Sequence, residues 1–227
     1  MKLLLKKEII LQWRQGFWLV YFVFTAIYVT ILLSLPEKNR MLVSLILILT
    51  DTTMLGVIFI GALVLLEKQQ SVIQSLFVTP LEPSQYIWSK TISLSLIAIC
   101  MSILVYLPVW QFNIYTLLLV ACIAFTAATF VMLGLGLAAR VDTINQYFGV
   151  QMGVSMLLIL PVLPYMLLGQ HPVFLFLPYV ASLDLMLGAR DPLPLWRILL
   201  DIVLLMAWGY VAYRFALRRV TRHLVYK

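Results

Sequence analysis

The stretch TISLSLIAICMSILVYLPVWQFNIYTLLLVACIAFTAATFVMLGLGLAA, from Thr91 to Ala139, contains no Asp, Glu, Lys or Arg in 49 positions. As one straight helix it would be about 74 Å long, more than twice a hydrocarbon core of about 30 Å. It must therefore fold back on itself. Pro108, Gln111 and Asn113 mark the turn, giving two spans over 91–109 and 115–139. A second uncharged block, Thr143 to Leu183, covers 41 positions. A soluble domain carries roughly a quarter of its residues as charges. This chain of 227 residues carries 11%, with 63% hydrophobic residues and a mean hydropathy of +1.04. The pattern predicts an all-α integral membrane protein with six transmembrane helices in a single domain.

Working outward, residues 17–35 form the first span, closed by Pro36 and the polar turn Glu37-Lys38-Asn39-Arg40. Residues 41–66 form the second and include one acid, Asp51. A polar segment over 67–85 separates it from the third. On the other side, the loop Arg140 to Gln146 leads to a fifth span over 147–168, whose end carries Pro161 and Pro164. Residues 169–196 are apolar but hold Pro172, Pro178, Pro192 and Pro194. Such a segment suits an external or re-entrant hairpin better than a straight helix. The sixth span covers 197–215, followed by a basic tail over 217–227. Residues 1–16 read as a basic amphipathic helix at the interface. Leu5, Ile9, Trp13 and Phe17 share one face, with Leu3 and Ile10 alongside and Lys6 interrupting it. No cleavable leader is legible there.

Twelve of the sixteen Lys and Arg residues fall on the side that holds both termini. Only Lys38, Arg40, Arg190 and Arg197 fall on the other, so the termini and tail are expected in the cytoplasm of a cell whose plasma membrane the chain crosses. The net charge of +7 sits at span ends, which fits lipid headgroups and not nucleic acid. Cys100 and Cys122 lie in apolar blocks without disulfide or zinc spacing, and no metal or cofactor is expected. His171 and His223 have no ligand-spaced neighbours. Asp51 and Asp201 are intramembrane acids that either face a pathway or pair locally, Asp201 with Arg197 one turn away. Met152, Met156 and Met166 read as packing residues. Gly134 and Gly136, and the Gly149-x-x-x-Gly153 pair, suggest close helix contacts.

The functional signal lies in Glu67-Lys68-Gln69-Gln70-Ser71-Val72-Ile73-Gln74-Ser75-Leu76-Phe77-Val78-Thr79-Pro80. Val72, Ile73, Leu76 and Phe77 form an apolar stripe at helical spacing, with Gln70, Gln74 and Ser75 opposite. Thr79-Pro80-Leu81-Glu82 reads as a capping box that opens a new helix. Spacing alone allows two roles: a connector lying at the interface, or a short helix that receives force from a soluble partner.

In these residues the chain resembles the membrane subunits of ATP-binding-cassette exporters of the ABC-2 permease type. The family pattern after the second span is an acid, a small residue, a Leu-rich turn, Thr-Pro-Leu, an aromatic and a Lys. Here these are Glu67, Ser71, Leu76, Thr79, Pro80, Leu81, Tyr86 and Lys90. Ser71-Val72 stands where the family usually has a Gly, and Glu82-Pro83 is unusual after Pro-Leu. The layout of the whole chain is similar too. The resemblance implies that two permease subunits pair and that each docks an ATPase subunit through the segment Glu67 with Val72 to Lys90. The N-terminal helix and the loop Arg140 to Gln146 would lie near the same ATPase.

The chain itself carries no nucleotide chemistry. Gly56 and Gly61 have phosphate-loop spacing, but Ala62-Leu63 follows. It is therefore expected not to be an enzyme and to export a hydrophobic or amphipathic substrate with ATP hydrolysed elsewhere. The alternatives are an ion-coupled secondary carrier, for which inverted repeats and more mid-membrane charges would be expected, and a non-transporting assembly factor or haem-exporter-like subunit.

Overall fold

A computed structural model describes residues 2–78, 81–109, 114–167, 174, 176–188 and 193–225. In chain order the helices are α1 (Lys2–Arg14), α2 (Phe17–Ser34), α3 (Glu37–Met54), a π-helical turn (Leu55–Phe59), α4 (Ile60–Gln69) and α5 (Val72–Val78). Then come α6 (Pro83–Tyr106), α7 (Ile114–Arg140), α8 (Ile144–Ile159), α9 (Val162–Leu167) and α10 (Pro178–Leu187). The last is α11 (Leu195–Val220), which ends in a second π-helical turn, Thr221–Val225. No strand occurs among the described residues. Six stretches are long and apolar enough to cross a membrane: Phe17–Ser34, Glu37–Gln69, Pro83–Tyr106, Thr116–Arg140, Ile144–Tyr165 and Leu195–Leu224. The all-helical, six-span architecture expected from the hydropathy blocks is the one observed.

More than half of the Glu37–Gln69, Pro83–Tyr106 and Thr116–Arg140 spans is buried inside the protein, against 17% of each of the other three. The bundle is thus built around α3–α4, α6 and α7. Close approach there depends on small residues. A Cβ on Gly134 would stand 2.9 Å from Val57 Cα and 3.0 Å from the Gly56 carbonyl oxygen. The same contact coincides with the π-helical turn, where the shift from i−4 to i−5 bonding loosens the carbonyl ladder. The Tyr147 hydroxyl donates to the Val57 carbonyl oxygen, which also accepts from the Ile60 amide. Gly61 makes room for the tyrosine ring, which a Cβ would overlap.

Gly149 and Gly153 behave differently: nothing lies within 4 Å of a Cβ built on either. Among the described residues their spacing serves no contact within this chain. Between α1 and α2 the chain reverses at Gly16, whose φ of 75° is open to glycine at little cost. Arg40 Nε and Nη2 donate to the Leu35 and Leu33 carbonyl oxygens at 2.8 and 2.9 Å, satisfying the C-terminal end of α2.

One further expectation is corrected. The helix after the functional segment starts at Pro83, with Glu82 extended (φ −75°, ψ 141°) at its cap. The new helix therefore does not run through Leu81 and Glu82, in keeping with the steric clash that turns a residue before proline away from the α region. Thr79 and Pro80 lie outside the described residues. On α1 the apolar and polar residues separate. Leu3, Ile10 and Trp13 are exposed, while Glu8 and Gln12 are the buried pair. The helix turns polar residues toward the protein, because α6 offers them partners. Within 169–196, the described part contains α10, buried along almost its whole length; residues 168–173, 175 and 189–192 are outside the description.

Candidate functional site

At the end of the bundle that carries α1 and α5, three elements converge on one ammonium group. Lys90, two turns into α6, is fully buried. Its Nζ lies 2.5 Å from Glu67 Oε1 at the end of α4, and 3.0 and 3.1 Å from the two Glu8 oxygens on α1. Tyr86, one turn before Lys90, donates its hydroxyl to Glu67 Oε2 at 2.8 Å. The Lys90 ammonium also stands 5.0 Å from the Tyr86 ring centre. Beyond it, the Gln12 amide donates to Ser93 Oγ at 2.8 Å, and Ser93 donates to the Lys90 carbonyl oxygen at 3.0 Å.

The physical logic is that of a buried charge which must be paired. Two carboxylates satisfy all three ammonium hydrogens, and the tyrosine fills a remaining carboxylate lone pair. The count of charges leaves one negative charge in excess. Burial raises the Glu8 carboxyl above the usual carboxylate range; Lys90 opposes that rise and Glu67 adds to it.

Helix α5 is attached to this cluster from outside. Ile73 is buried, while Leu76 and Phe77 pack part-buried against the core. The Phe77 ring lies 5.8 Å from the Tyr86 ring. Val72 is half-buried, Gln74 and Ser75 are exposed, and Val78 is 88% exposed. Leu81 is half-buried ahead of α6. Of the residues singled out by sequence, Glu67, Ile73, Leu76, Phe77, Tyr86 and Lys90 are thus brought into one contiguous chain of contacts. Val72 and Leu81 sit on its flanks.

Glu8 and Gln12 were missed. Glu8 is the only acid among the first sixteen residues, beside four bases, and Gln12 follows one turn later, but nothing in the sequence pairs either with α6.

The neighbouring residue, Lys68, closes a second joint. Its Nζ donates to the carbonyl oxygens of Ala138, Ala139 and Val141 at 3.2, 2.9 and 2.7 Å and lies 3.6 Å from Asp142. A cation here meets the negative end of α7. Thr143 then caps α8, accepting from the Gln146 amide at 3.3 Å. The loop after α7 and α5 therefore border one open cleft of about 670 Å³, with His223 on its rim.

The intramembrane acids resolve differently from expectation. Arg197 does not pair with Asp201. It donates from Nε to Asp184 Oδ2 at 2.5 Å and from Nη2 to Asp184 Oδ1 at 3.1 Å, and Tyr165 donates to the same carboxylate. Asp184, fully buried on α10, was not foreseen. Asp201 is fully buried and has the Asp184 carboxyl as its neighbour at hydrogen-bond range. Asp51 is half-buried.

Six apolar helices, one end tied by a buried ion cluster to a short exposed helix, define a multi-pass membrane protein of the permease kind. The chain belongs to the fluoroquinolones export permease protein family, whose pattern it matches over residues 1–227. It is similar to the fluoroquinolones export permease proteins of two Mycobacterium tuberculosis strains, at 26% identity over 197 residues, or 86% of this chain and 83% of each relative. It is a transmembrane permease subunit of an export system.

Proposed function

We propose that the chain is the permease half of an ABC-2 type exporter, driven by a separate cytoplasmic ATPase that docks on α5. One observation carries this reading: α5 exposes Gln74, Ser75 and Val78 outward while Phe77 touches Tyr86, the entry to the cluster that binds α1, α4 and α6 together. Packed interiors transmit displacement, because close-packed side chains leave no slack. A push on α5 therefore moves three elements as one unit. In this mechanism two permease subunits pair, each with its own ATPase. Closure of the ATPases forces the α4–α6 ends inward and opens the path between the halves. The termini and α5 lie in the cytoplasm, as the charge asymmetry indicates. The chain hydrolyses nothing itself. Its substrate is a hydrophobic or amphipathic molecule, and the names of the relatives point to fluoroquinolones.

The test is affinity capture from solubilised membranes, comparing wild type with Val78→Asp. Val78 supports no packing, so the variant inserts normally and loses the ATPase that wild type retains. If no ATPase accompanies wild type even after cross-linking in intact membranes, the ATP-driven reading fails. The buried neighbouring acids Asp184 and Asp201 favour the ion-coupled carrier as the second reading. Export that survives ATP depletion and stops when the proton gradient collapses would select it.

A further inference from the structure

Helix α11 carries a stripe along one face that changes character along its length. Met206, Gly209, Tyr210 and Tyr213 line one wall of a groove of about 350 Å³, with Trp88 of α6 and Phe125 of α7 across from them. Arg214, Leu217, Arg218, Thr221 and Arg222 continue the stripe and line a shallow cleft beside it. Steps of three and four residues keep the whole series on one side of the helix.

The groove opens to the bilayer: Tyr210 is 64% exposed, Phe125 47% and Trp88 41%. Its depth comes from Gly209, where a Cβ would meet only Thr129 Oγ1, at 3.4 Å. Trp88 and Tyr213 stack with ring centres 5.8 Å apart at the end nearer the arginines. Aromatic residues with polar edges favour that depth, between acyl chains and headgroups.

Arg214, Arg218 and Arg222 are exposed, one turn apart. Among the described residues none has an ion pair or hydrogen bond, unlike Arg40, Lys68, Lys90 and Arg197. Arg219 turns away onto the Phe215 ring at 5.5 Å. Like charges one turn apart repel on a helix, and among the described residues no ion pair offsets the repulsion. Span topology alone places basic residues at such an end, but it does not supply an aromatic groove running into them. We propose that this stripe binds an anionic phospholipid. One acyl chain fills the groove, the glycerol region meets Trp88 and Tyr213, and the phosphate lies against Arg214, Arg218 and Arg222. Tail, interface and anion then follow one another in the order the bilayer itself imposes.

The experiment uses the delipidated full-length chain in detergent, with thermal midpoints and native mass spectrometry read after adding phosphatidylglycerol, phosphatidylcholine or glycerol phosphate. Phosphatidylglycerol should raise the midpoint and stay bound, while the other two should not. R214Q/R218Q/R222Q should retain roughly a hundredfold less of it, and R214K/R218K/R222K should retain most. Gly209→Leu, which fills the groove and leaves every charge in place, should also lose it. K6Q/K7Q on α1 should have no effect. Equal binding of the two phospholipids, an equal response to glycerol phosphate, full retention by Gly209→Leu, or an equal loss in K6Q/K7Q would each overturn the proposal. So would an R214Q/R218Q/R222Q variant that keeps the lipid and loses a protein partner, since the stripe would then be a protein-docking surface.

Discussion

Lys90 is held between Glu8 and Glu67 with no exposed surface, so its removal leaves two carboxylates facing each other in a low-dielectric site. Breaking a buried ion pair by deleting one partner costs about 3–5 kcal/mol. Lys90→Met should therefore lower the thermal midpoint of the detergent-solubilised protein sharply. The variant that also carries Glu8→Gln and Glu67→Gln should recover much of the loss, because no unpaired charge remains. If Lys90→Met melts like wild type, the cluster does not hold α1, α4 and α6 together. At Tyr147 the same reasoning applies to a neutral group. Tyr147→Phe removes one of the two hydrogen bonds to the Val57 carbonyl, which still accepts from the Ile60 amide, so the loss is that of one net hydrogen bond, about 0.5–1.5 kcal/mol. A thermal unfolding comparison in the same detergent checks it, and an unchanged midpoint would show that the turn stands without the tyrosine.

Helix α5 owes its position to the hinge before it. Ser71 adopts φ 56°, the left-handed region that side chains other than glycine enter at a cost of roughly 1–2 kcal/mol. The exporter family usually places glycine near here, and the backbone shows why one would fit. Ser71→Gly should leave stability unchanged or slightly improved, and Ser71→Val should lower it by about 1–2 kcal/mol, since a β-branched side chain fits that region worst. Chemical denaturation of the two variants reads the difference; equal midpoints would mean that the hinge relaxes to another conformation. The helices themselves were legible because a bilayer leaves a long uncharged block one solution, internal hydrogen bonding in a helix of spanning length. Glu67, Tyr86 and Lys90 were legible through a motif. Glu8 and Asp184 were not, because their partners lie 82 and 13 residues away and only tertiary packing brings them together. Pro83 could have been read, since it disfavours a helix through Glu82. The preceding Thr79-Pro80 offered a competing start that matched local capping rules just as well.

Across the whole molecule, burial is lopsided, and in the proposed two-subunit exporter that asymmetry marks where the second subunit should sit. The α2 and α8 spans and the α11 span each bury only 17% of their length inside the chain. Lipid can cover such faces, but helix pairing in a bilayer is driven by close packing and favours surfaces that let backbones approach. The exposed face of α2 is bulky, with Leu19, Phe22, Val23 and Ile27. The exposed face of α8 presents Gly149 and Gly153 with nothing within 4 Å. In a two-fold pair the same face meets itself, so α8 should cross α8 of the partner at these glycines. Met152 and Met156 are exposed on this helix, beside the glycines. Cys100 is itself exposed, so the test background is Cys100→Ser. In native membranes Met152→Cys should then cross-link to a dimer under mild oxidation, while Phe22→Cys on α2 should not. Adding Gly153→Leu should abolish the cross-link and leave the monomer's melting unchanged, because the new side chain meets no atom of its own chain. Were the protein to remain a dimer while α8 cysteines stayed reduced and α2 cysteines cross-linked, the two halves would meet across α2. The path for substrate would then run along a wall of large aromatic and aliphatic side chains instead of a seam of glycine.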